Sequence, residues 1–229
     1  MSERHARRRA IDLSHEVVDG MITHPGIPGP TISTFLTHEA SAARYAPGTT
    51  FEIGRIDLVA NTGTYLDTPA HRFAGRADLS DLDLETVVDL DGVLVDVRGQ
   101  TEKAVGPDAF TGVRVAGRAV LVATGWDRHW GTEAYLSDNP FLTEAAARHL
   151  VTAGAALIGI DSLNVDSLAD ARRPAHTVIL DAGIPLVEHL TGLDQLPLDG
   201  FRFFAVPPRI RGMATFPVRA FALIGSGRG

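Results

Sequence analysis

The feature that most constrains the fold of this chain is a set of three predominantly apolar segments, at residues 92–97, 119–124 and 155–160. Strands whose residues are all apolar are covered on both faces, which is typical of parallel sheets. Residues 143–153 read as a helix, because Thr143 is a favourable N-cap and Gly154 ends the segment. A helix followed by a buried strand indicates a parallel crossover unit, so the sequence predicts an α/β fold.

Shorter segments complete the predicted sheet. Residues 11–14, 203–206 and 218–224 read as further strands. Residues 51–60 alternate apolar and polar side chains over much of their length, which predicts a half-buried strand. Residues 20–30 contain three prolines and three glycines and are therefore predicted to form a loop.

The composition narrows the functional classes. The 229 residues carry a net charge of −7, which disfavours nucleic acid as a partner. No apolar run approaches the roughly 20 residues that span a bilayer, so we predict a cytoplasmic protein without a membrane partner. Because there is no cysteine, a metal ion would have to bind His, Asp or Glu. We predict one α/β domain with a mixed sheet at residues 11–229, after a flexible basic tail at residues 1–10.

Glycine, proline and titratable side chains are concentrated in residues 61–71, which read NTGTYLDTPAH. Asp67 and His71 lie four residues apart with Pro69 between them, and proline disfavours a regular helix there. The segment follows the predicted strand at residues 51–60, so it is expected to begin at a strand end and continue as a loop. On spacing alone, an N-cap aspartate and a surface histidine are as well supported as a functional pair.

The same segment resembles the signature His-x-Gly-Thr-His-x-Asp-x-Pro-x-His of the cyclase family, which includes the kynurenine formamidase-like and isatin hydrolase-like metal-dependent hydrolases. The matching residues are Gly63, Thr64, Asp67, Pro69 and His71, whereas Asn61 and Tyr65 stand where the signature has its first two histidines. The resemblance implies a swivelling β/β/α domain with a mixed, barrel-like central sheet. It also implies assembly into a homodimer or homotetramer.

The resemblance further implies roles for individual residues. His71 corresponds to the family's general acid/base, and Asp67 corresponds to its bridging metal ligand. His176 and Glu188 correspond to the ligands of a second metal position. Residue type alone does not require this, because His176 could lie in a loop and Glu188 could face water on a helix.

The departures from the signature change the expected metal site. Asn61 is a poor zinc ligand beside imidazole, and Tyr65 has an ordinary pKa near 10 and would have to lose a proton to bind a metal strongly. The remaining set, Asp67, His176 and Glu188, predicts a single divalent ion, Zn or Mn. A metal-free site is the alternative, in which Tyr65 and Asn61 act in catalysis or substrate binding by donating hydrogen bonds to a substrate carbonyl.

Other side chains are candidates for substrate binding. His24 lies in the predicted loop, and Trp126 follows the strand at residues 119–124, so both are predicted to line a pocket for a flat substrate. Core packing is the alternative for Trp126. Arg209 and Arg211 could pair with a substrate carboxylate or lie on the surface.

The resemblance predicts a hydrolase that opens an amide, a cyclic amide or a lactone of a small aromatic or cyclic metabolite. His71 would transfer the proton. Two alternatives remain open at this point. One is a metal-independent cyclase or dehydratase of a secondary-metabolite pathway, and the other is a non-catalytic protein that binds a small molecule.

Overall fold

A nine-stranded mixed sheet forms the centre of the molecule, seen in a computed structural model that describes residues 8–225. The strands of the chain are β1 (Arg9–Asp12), β2 (Thr31–Leu36), β3 (Ile53–Asp57), β4 (Tyr65–Asp67), β5 (Leu90–Asp96), β6 (Ala104–Val105), β7 (Ala119–Ala123), β8 (Phe141–Leu142), β9 (Leu157–Ile160), β10 (Leu186–Glu188), β11 (Asp199–Phe204), β12 (Thr215–Pro217) and β13 (Phe221–Ile224). The helices are α1 (His38–Ala42), α2 (Glu144–Thr152) and α3 (Pro174–Asp181), with short 3₁₀ helices such as Pro69–His71 between them.

The strand order of the central sheet is β1-β13-β11-β5-β7-β9-β10-β4-β12. β5, β7, β9 and β10 pair in parallel, and the pairs outside this block are antiparallel. The sheet curls into a half-barrel, which confirms the predicted α/β domain with a mixed, barrel-like sheet. β2 pairs with β3, and β6 with β8, in two small separate sheets.

The crossover from β7 through α2 to β9 confirms the prediction made from the apolar segments. The Thr143 hydroxyl accepts a hydrogen bond from the Ala146 N–H at 3.1 Å, and Gly154 adopts a left-handed conformation with φ +78° just after the helix. Side chains of the parallel strands pack into two separate clusters, one on each face of the sheet. Both faces of these strands are therefore covered, as their sequence requires.

The structure differs from the sequence-based expectation in three segments. The predicted half-buried strand at residues 51–60 is wrong in its burial, because β3 pairs with β2 in an exposed hairpin and all five of its residues are exposed. Helix α3 was not anticipated. β1 begins at Arg9, so residues 9 and 10 of the predicted tail belong to the sheet, while residues 1–7 lie outside the described residues.

Within residues 8–225, no helix is both long enough and apolar enough to span a membrane.

Candidate active site

The signature segment contributes a short strand of its own, β4, between β10 and β12. Gly63 precedes it with φ +68°, a conformation that glycine adopts without the steric cost of a Cβ. In the register of β4 and β10, Tyr65 lies directly opposite Glu188. Pro69 then begins the 3₁₀ turn that ends at His71, so the chain brings His71 back beside Asp67. The sequence predicted the loop but missed the strand.

His176 lies in the first turn of α3, and Asp166 fixes its orientation. The Asp166 carboxylate accepts hydrogen bonds from the Ala175 N–H at 2.7 Å and the His176 N–H at 3.1 Å. Its Oδ2 also lies 2.7 Å from Nδ1 of His176. A carboxylate bound to Nδ1 leaves Nε2 as the atom that faces the site. Asp166 is a residue of the site that the sequence did not reveal, because no local pattern connects it to a helix that begins eight residues later.

The four residues expected from the resemblance come together. Nε2 of His176 lies 3.7 Å from Asp67 Oδ2 and 3.6 Å from Glu188 Oε1. Nε2 of His71 lies 4.0 Å from Asp67 Oδ1. One ligand atom each of Asp67, His71 and His176 fall within 4.8 Å of one another. Asp67 and Glu188 are fully buried in adjacent strands, so Glu188 does not face water on a helix.

A cavity of about 360 Å³ opens above this group. The residues that line it are His24, Ile27, Asn61, Tyr65, His71, Arg72, Asn164, Arg173 and His176. His24 and Asn61 are therefore located where the sequence predicted. The structure does not bring Trp126 to the cavity, since its ring packs in a buried cluster and its Nε1–H donates to the Tyr135 carbonyl at 3.2 Å. Arg209 and Arg211 are also absent from the lining.

The Tyr65 hydroxyl lies beside Glu188 and uses its single hydrogen to donate to that carboxylate. It donates a hydrogen bond to Glu188 Oε2 at 2.5 Å. Burial, together with the negative charges of Glu188 and Asp67, raises the pKa of Tyr65 well above 10. The phenol is therefore neutral, and its one O–H is not free to bind a substrate carbonyl in this arrangement. Asn61 differs, because its Oδ1 accepts from the Thr215 hydroxyl at 3.1 Å, and its Nδ2, which donates to the Tyr65 hydroxyl, carries a second hydrogen that can face the cavity.

The buried carboxylates of this group require a positive charge near them. Both carboxylate oxygens of Asp67 are buried and have no hydrogen-bond partner among the described residues. Burial alone lowers the pKa of His176, but Glu188, Asp166 and Asp67 together raise it to about 10. Burial raises the pKa of Glu188 to about 7, although the charge of His176 opposes this. An imidazole surrounded by three buried carboxylates must either hold a proton or share a cation with them.

The donor set fits a divalent ion. The distances of 3.6, 3.7 and 4.0 Å between donor atoms are too long for hydrogen bonds. They suit oxygen and nitrogen ligands that share one ion, since each ligand of zinc lies about 2.0–2.2 Å from the metal. The unpartnered oxygens of Asp67 are what such an ion would satisfy. The sequence predicted an ion at Asp67, His176 and Glu188, whereas the ligand atoms that lie within 4.8 Å of one another among the described residues belong to Asp67, His71 and His176, and this group does not include Glu188.

The chain is similar in sequence or in structure to several known hydrolases. Kynurenine formamidase from Bacillus cytotoxicus is 26% identical over 211 residues, which cover 92% of this chain and 95% of that protein. Isatin hydrolase A from Ralstonia solanacearum superposes with a TM-score of 0.81 at 23% identity, over 95% of this chain and 92% of that one. A chain from Bacillus stearothermophilus described as a predicted metal-dependent hydrolase superposes with a TM-score of 0.73 at 24% identity, over 95% and 99%.

The family of the chain is shown by a match to a family model, in addition to these individual similarities. The model of the cyclase family matches residues 11–167, which include the whole signature segment and β2 through β9. That match spans more than half of the chain, and it includes Asp67 and His71 despite the two replaced histidines. The chain therefore belongs to the cyclase family.

Proposed function

We propose that this protein is a hydrolase that opens an amide bond, linear or cyclic, in a small aromatic metabolite. The observation that carries the proposal is the buried Asp67 carboxylate, which faces His71 and His176 beneath a cavity of about 360 Å³. The size of the cavity suits a ligand with one ring and a short substituent. The names of the kynurenine formamidase and isatin hydrolase relatives support amide chemistry on such molecules.

One divalent ion, Zn²⁺ or Mn²⁺, completes the proposed site, with Asp67, His176 and Glu188 as its ligands. Glu188 can contribute even though Tyr65 and the Val165 N–H already donate to it, because each carboxylate oxygen has two lone pairs. When bound, the ion would supply Lewis-acid polarisation of the scissile carbonyl. Asp166 would act through His176 by holding its imidazole in the orientation that turns Nε2 toward the ion.

His71 is the proposed proton-transfer group. Its side chain is 34% exposed and lines the cavity, so it can reach both the substrate and solvent, whereas Asp67 beneath it is fully buried. A histidine that faces a cavity can take a proton from the attacking water and return it to the leaving nitrogen. Oδ1 of Asp67 lies 4.0 Å from Nε2 of His71, so the imidazole is held beside a carboxylate while it transfers the proton.

Asn61 is the proposed hydrogen-bond donor to the substrate carbonyl. Its amide oxygen is held by Thr215, which orients the amide hydrogens. A donor aimed at the oxygen on which charge develops contributes to transition-state stabilisation. Tyr65 has the supporting role of satisfying Glu188. Its commitment to Glu188 and its raised pKa count against the metal-independent cyclase alternative, which needs Tyr65 as a mobile acid.

We further propose that two copies associate through the β2–β3 hairpin. The hairpin and its flanks expose Ile32, Phe35, Phe51, Ile53 and Ile56, each between 46% and 70% accessible. Exposed apolar patches of this kind mark surfaces that another molecule covers.

The decisive experiment is a turnover screen of formanilide, isatin and a simple aryl lactone, with the protein first depleted of metal and then reloaded with Zn²⁺ or Mn²⁺. Hydrolysis of at least one amide, abolished by Asp67→Asn, is the expected result. A folded, metal-loaded protein that hydrolyses none of the amides contradicts the proposal. Turnover of the lactone alone would move the activity to ester chemistry.

A further inference from the structure

We infer that the substrate carries a carboxylate, which Arg72 and Arg173 bind at the mouth of the cavity while its amide group lies near Asp67. This inference rests on the proposed function and specifies the substrate class of the same site. It depends on four features of the structure: the charge of the lining, the absence of partners for the two arginines, the position of Arg173, and the contact that links the two residues.

The charged side chains that line the cavity are all basic. The nine residues that line the cavity include both arginines and three histidines but no aspartate or glutamate. The acidic groups of the site, Asp67 and Glu188, are fully buried beneath the floor. A chain with a net charge of −7 would not produce a basic opening by composition alone. A cleft lined by one sign of charge attracts ligands of the opposite sign.

The two lining arginines lack the carboxylate partners that their neighbours have. Arg76, four residues after Arg72, pairs with Asp181 at 3.2 Å. Arg172, adjacent to Arg173, pairs with Asp170 at 2.7 Å. Among residues 8–225, neither Arg72 nor Arg173 forms a salt bridge with a carboxylate.

Local structure does not explain an arginine at position 173. The residue is the N-cap of α3 in a left-handed conformation, with φ 51° and ψ 58°, and its side chain makes no capping hydrogen bond. Short polar residues and glycine suit such a position better. Its Nη1 donates to the Ser167 carbonyl at 2.7 Å, which anchors the guanidinium and leaves most of its donors free.

A threonine links the two arginines. The Thr177 hydroxyl accepts a hydrogen bond from Arg72 Nε at 3.0 Å and donates one to the Arg173 carbonyl at 2.8 Å. The side chain of Arg72 is therefore tethered to the first turns of α3, near the backbone of Arg173. Two guanidinium groups that face one cavity repel each other unless an anion joins them, and a carboxylate accepts such donors in pairs.

The test compares two substrates that differ in this one group, N-formylanthranilate and formanilide. Kinetics are measured for the parent and for the double variant Arg72→Gln/Arg173→Gln. The matched control, Arg76→Gln/Arg172→Gln, removes the two neighbouring arginines that already have partners. A third variant, Arg72→Lys/Arg173→Lys, keeps the charge. Circular dichroism verifies that each protein is folded.

We expect the first double variant to raise KM for N-formylanthranilate by about tenfold to a hundredfold, because hydrogen bonds to charged groups are the stronger ones. KM for formanilide should change less than twofold, the control should match the parent, and the lysine variant should recover part of the loss. An equal change for both substrates, or an equal loss in the control, would overturn the inference.

A binding measurement separates this inference from the proposed function. If neither formamide nor isatin is hydrolysed, the proposed function fails, and calorimetric titration of anthranilate and aniline still tests the arginines. The inference stands if anthranilate binds the parent at least tenfold more tightly than the Arg72→Gln/Arg173→Gln variant while aniline does not discriminate between them. It is overturned if both ligands bind the two proteins alike, or if the parent does not bind anthranilate.

Discussion

The hydroxyl of Tyr65 donates to Oε2 of Glu188 at 2.5 Å across the β4–β10 pair. This contact joins a residue that departs from the family signature to a residue that the family resemblance predicts as a metal ligand. The phenol supplies a neutral donor to one of the buried carboxylates of the site. Asp67 receives no such donor from the described residues. Among the described residues, the carboxylate that still lacks a donor is therefore Asp67, where the proposed ligands of one ion converge.

Replacing Asp67 should remove the response of stability to metal. At a free Zn²⁺ concentration of 100 times the dissociation constant, binding stabilises a folded protein by about 2.7 kcal/mol. We expect the parent to show a higher melting temperature with Zn²⁺ than with chelator, and Asp67→Asn to show no difference. Asp181→Asn, which alters an exposed ion pair, is the control and should keep the response. A normal zinc response in Asp67→Asn would exclude Asp67 as a ligand.

Restoring the two signature histidines should increase metal uptake. The double variant Asn61→His/Tyr65→His would introduce imidazole nitrogens beside Asp67 and remove the phenol that occupies Glu188. Elemental analysis after equal exposure to Zn²⁺ should find more metal per chain than in the parent. Tyr65→Phe serves as the control, because it removes the hydroxyl without adding a ligand. If the double variant holds no more zinc than the parent, missing ligands do not limit metal content.

His71→Ala distinguishes proton transfer from metal binding. General acid/base groups contribute about 10²–10⁴-fold to rate, so turnover should fall by that order. Zinc content should persist if Asp67, His176 and Glu188 hold the ion, whereas Glu188→Gln should lower it. His149→Ala, at an exposed position on α2, is the control for loss of an imidazole. Loss of zinc from His71→Ala together with its retention in Glu188→Gln would make His71 the third ligand.

The stability of the protein should fall in mild acid because of His15. Its ring stacks on Trp130 with a centroid separation of 3.7 Å, and burial lowers the pKa of His15 to about 4, although Asp127 opposes the shift. The unfolded chain takes up the proton near pH 6.5, whereas the folded chain does so only near pH 4. The stabilising contribution is therefore complete above pH 6.5 and is lost as the pH falls toward 4.

Urea unfolding at pH 7.5 and pH 5.0 measures this effect. After allowance for the partial exposure of the ring, His15 should account for about 1–2 kcal/mol of the stability that the parent loses between these pH values. His15→Phe retains an aromatic ring against Trp130. Its free energy of unfolding should therefore fall by about 1–2 kcal/mol less than that of the parent between these pH values. Equal losses in the parent and the variant would rule out His15 as the source.

The exposed hairpin should determine the oligomeric state. Phe35 is 70% exposed and Ile56 is 50% exposed, so lysines at both positions would place charge in the proposed interface. Light scattering after gel filtration should find an oligomer for the parent and a monomer for Phe35→Lys/Ile56→Lys. Leu198→Lys changes an apolar residue that is 62% exposed elsewhere and should leave the oligomer intact. A monomeric parent at micromolar concentration would refute the proposed interface.

The sequence predicted those parts of the molecule that local pattern determines. The continuous apolar strands around Leu121 and Ile158 and the cap at Thr143 are local signals, and each led to the observed element. The signature identified Asp67 and His71, and the resemblance identified His176 and Glu188, which all converge.

What the sequence missed depends on contacts between distant segments. Nothing near Asp166 indicates that its carboxylate holds a histidine of α3, and nothing near Arg72 or Arg173 distinguishes them from the paired arginines beside them. Strand β4 is only three residues long and is defined by its pairing with β10 and β12. The alternating pattern at residues 51–60 predicted a strand but not its burial, because alternation alone does not show whether either face packs against the rest of the protein; β3 pairs with β2 and all five of its residues are exposed.

The hairpin lies close in sequence to one wall of the cavity. His24 and Ile27, which line the cavity, lie a few residues before β2, so the proposed association through the hairpin would place a second copy next to the loop that carries them. If the second copy stabilises that loop, specific activity would depend on enzyme concentration and would fall on dilution below the dissociation constant of the proposed oligomer. Assays at nanomolar enzyme would then underestimate turnover. When the diluted enzyme is concentrated again, activity would recover only after a lag while the subunits reassociate.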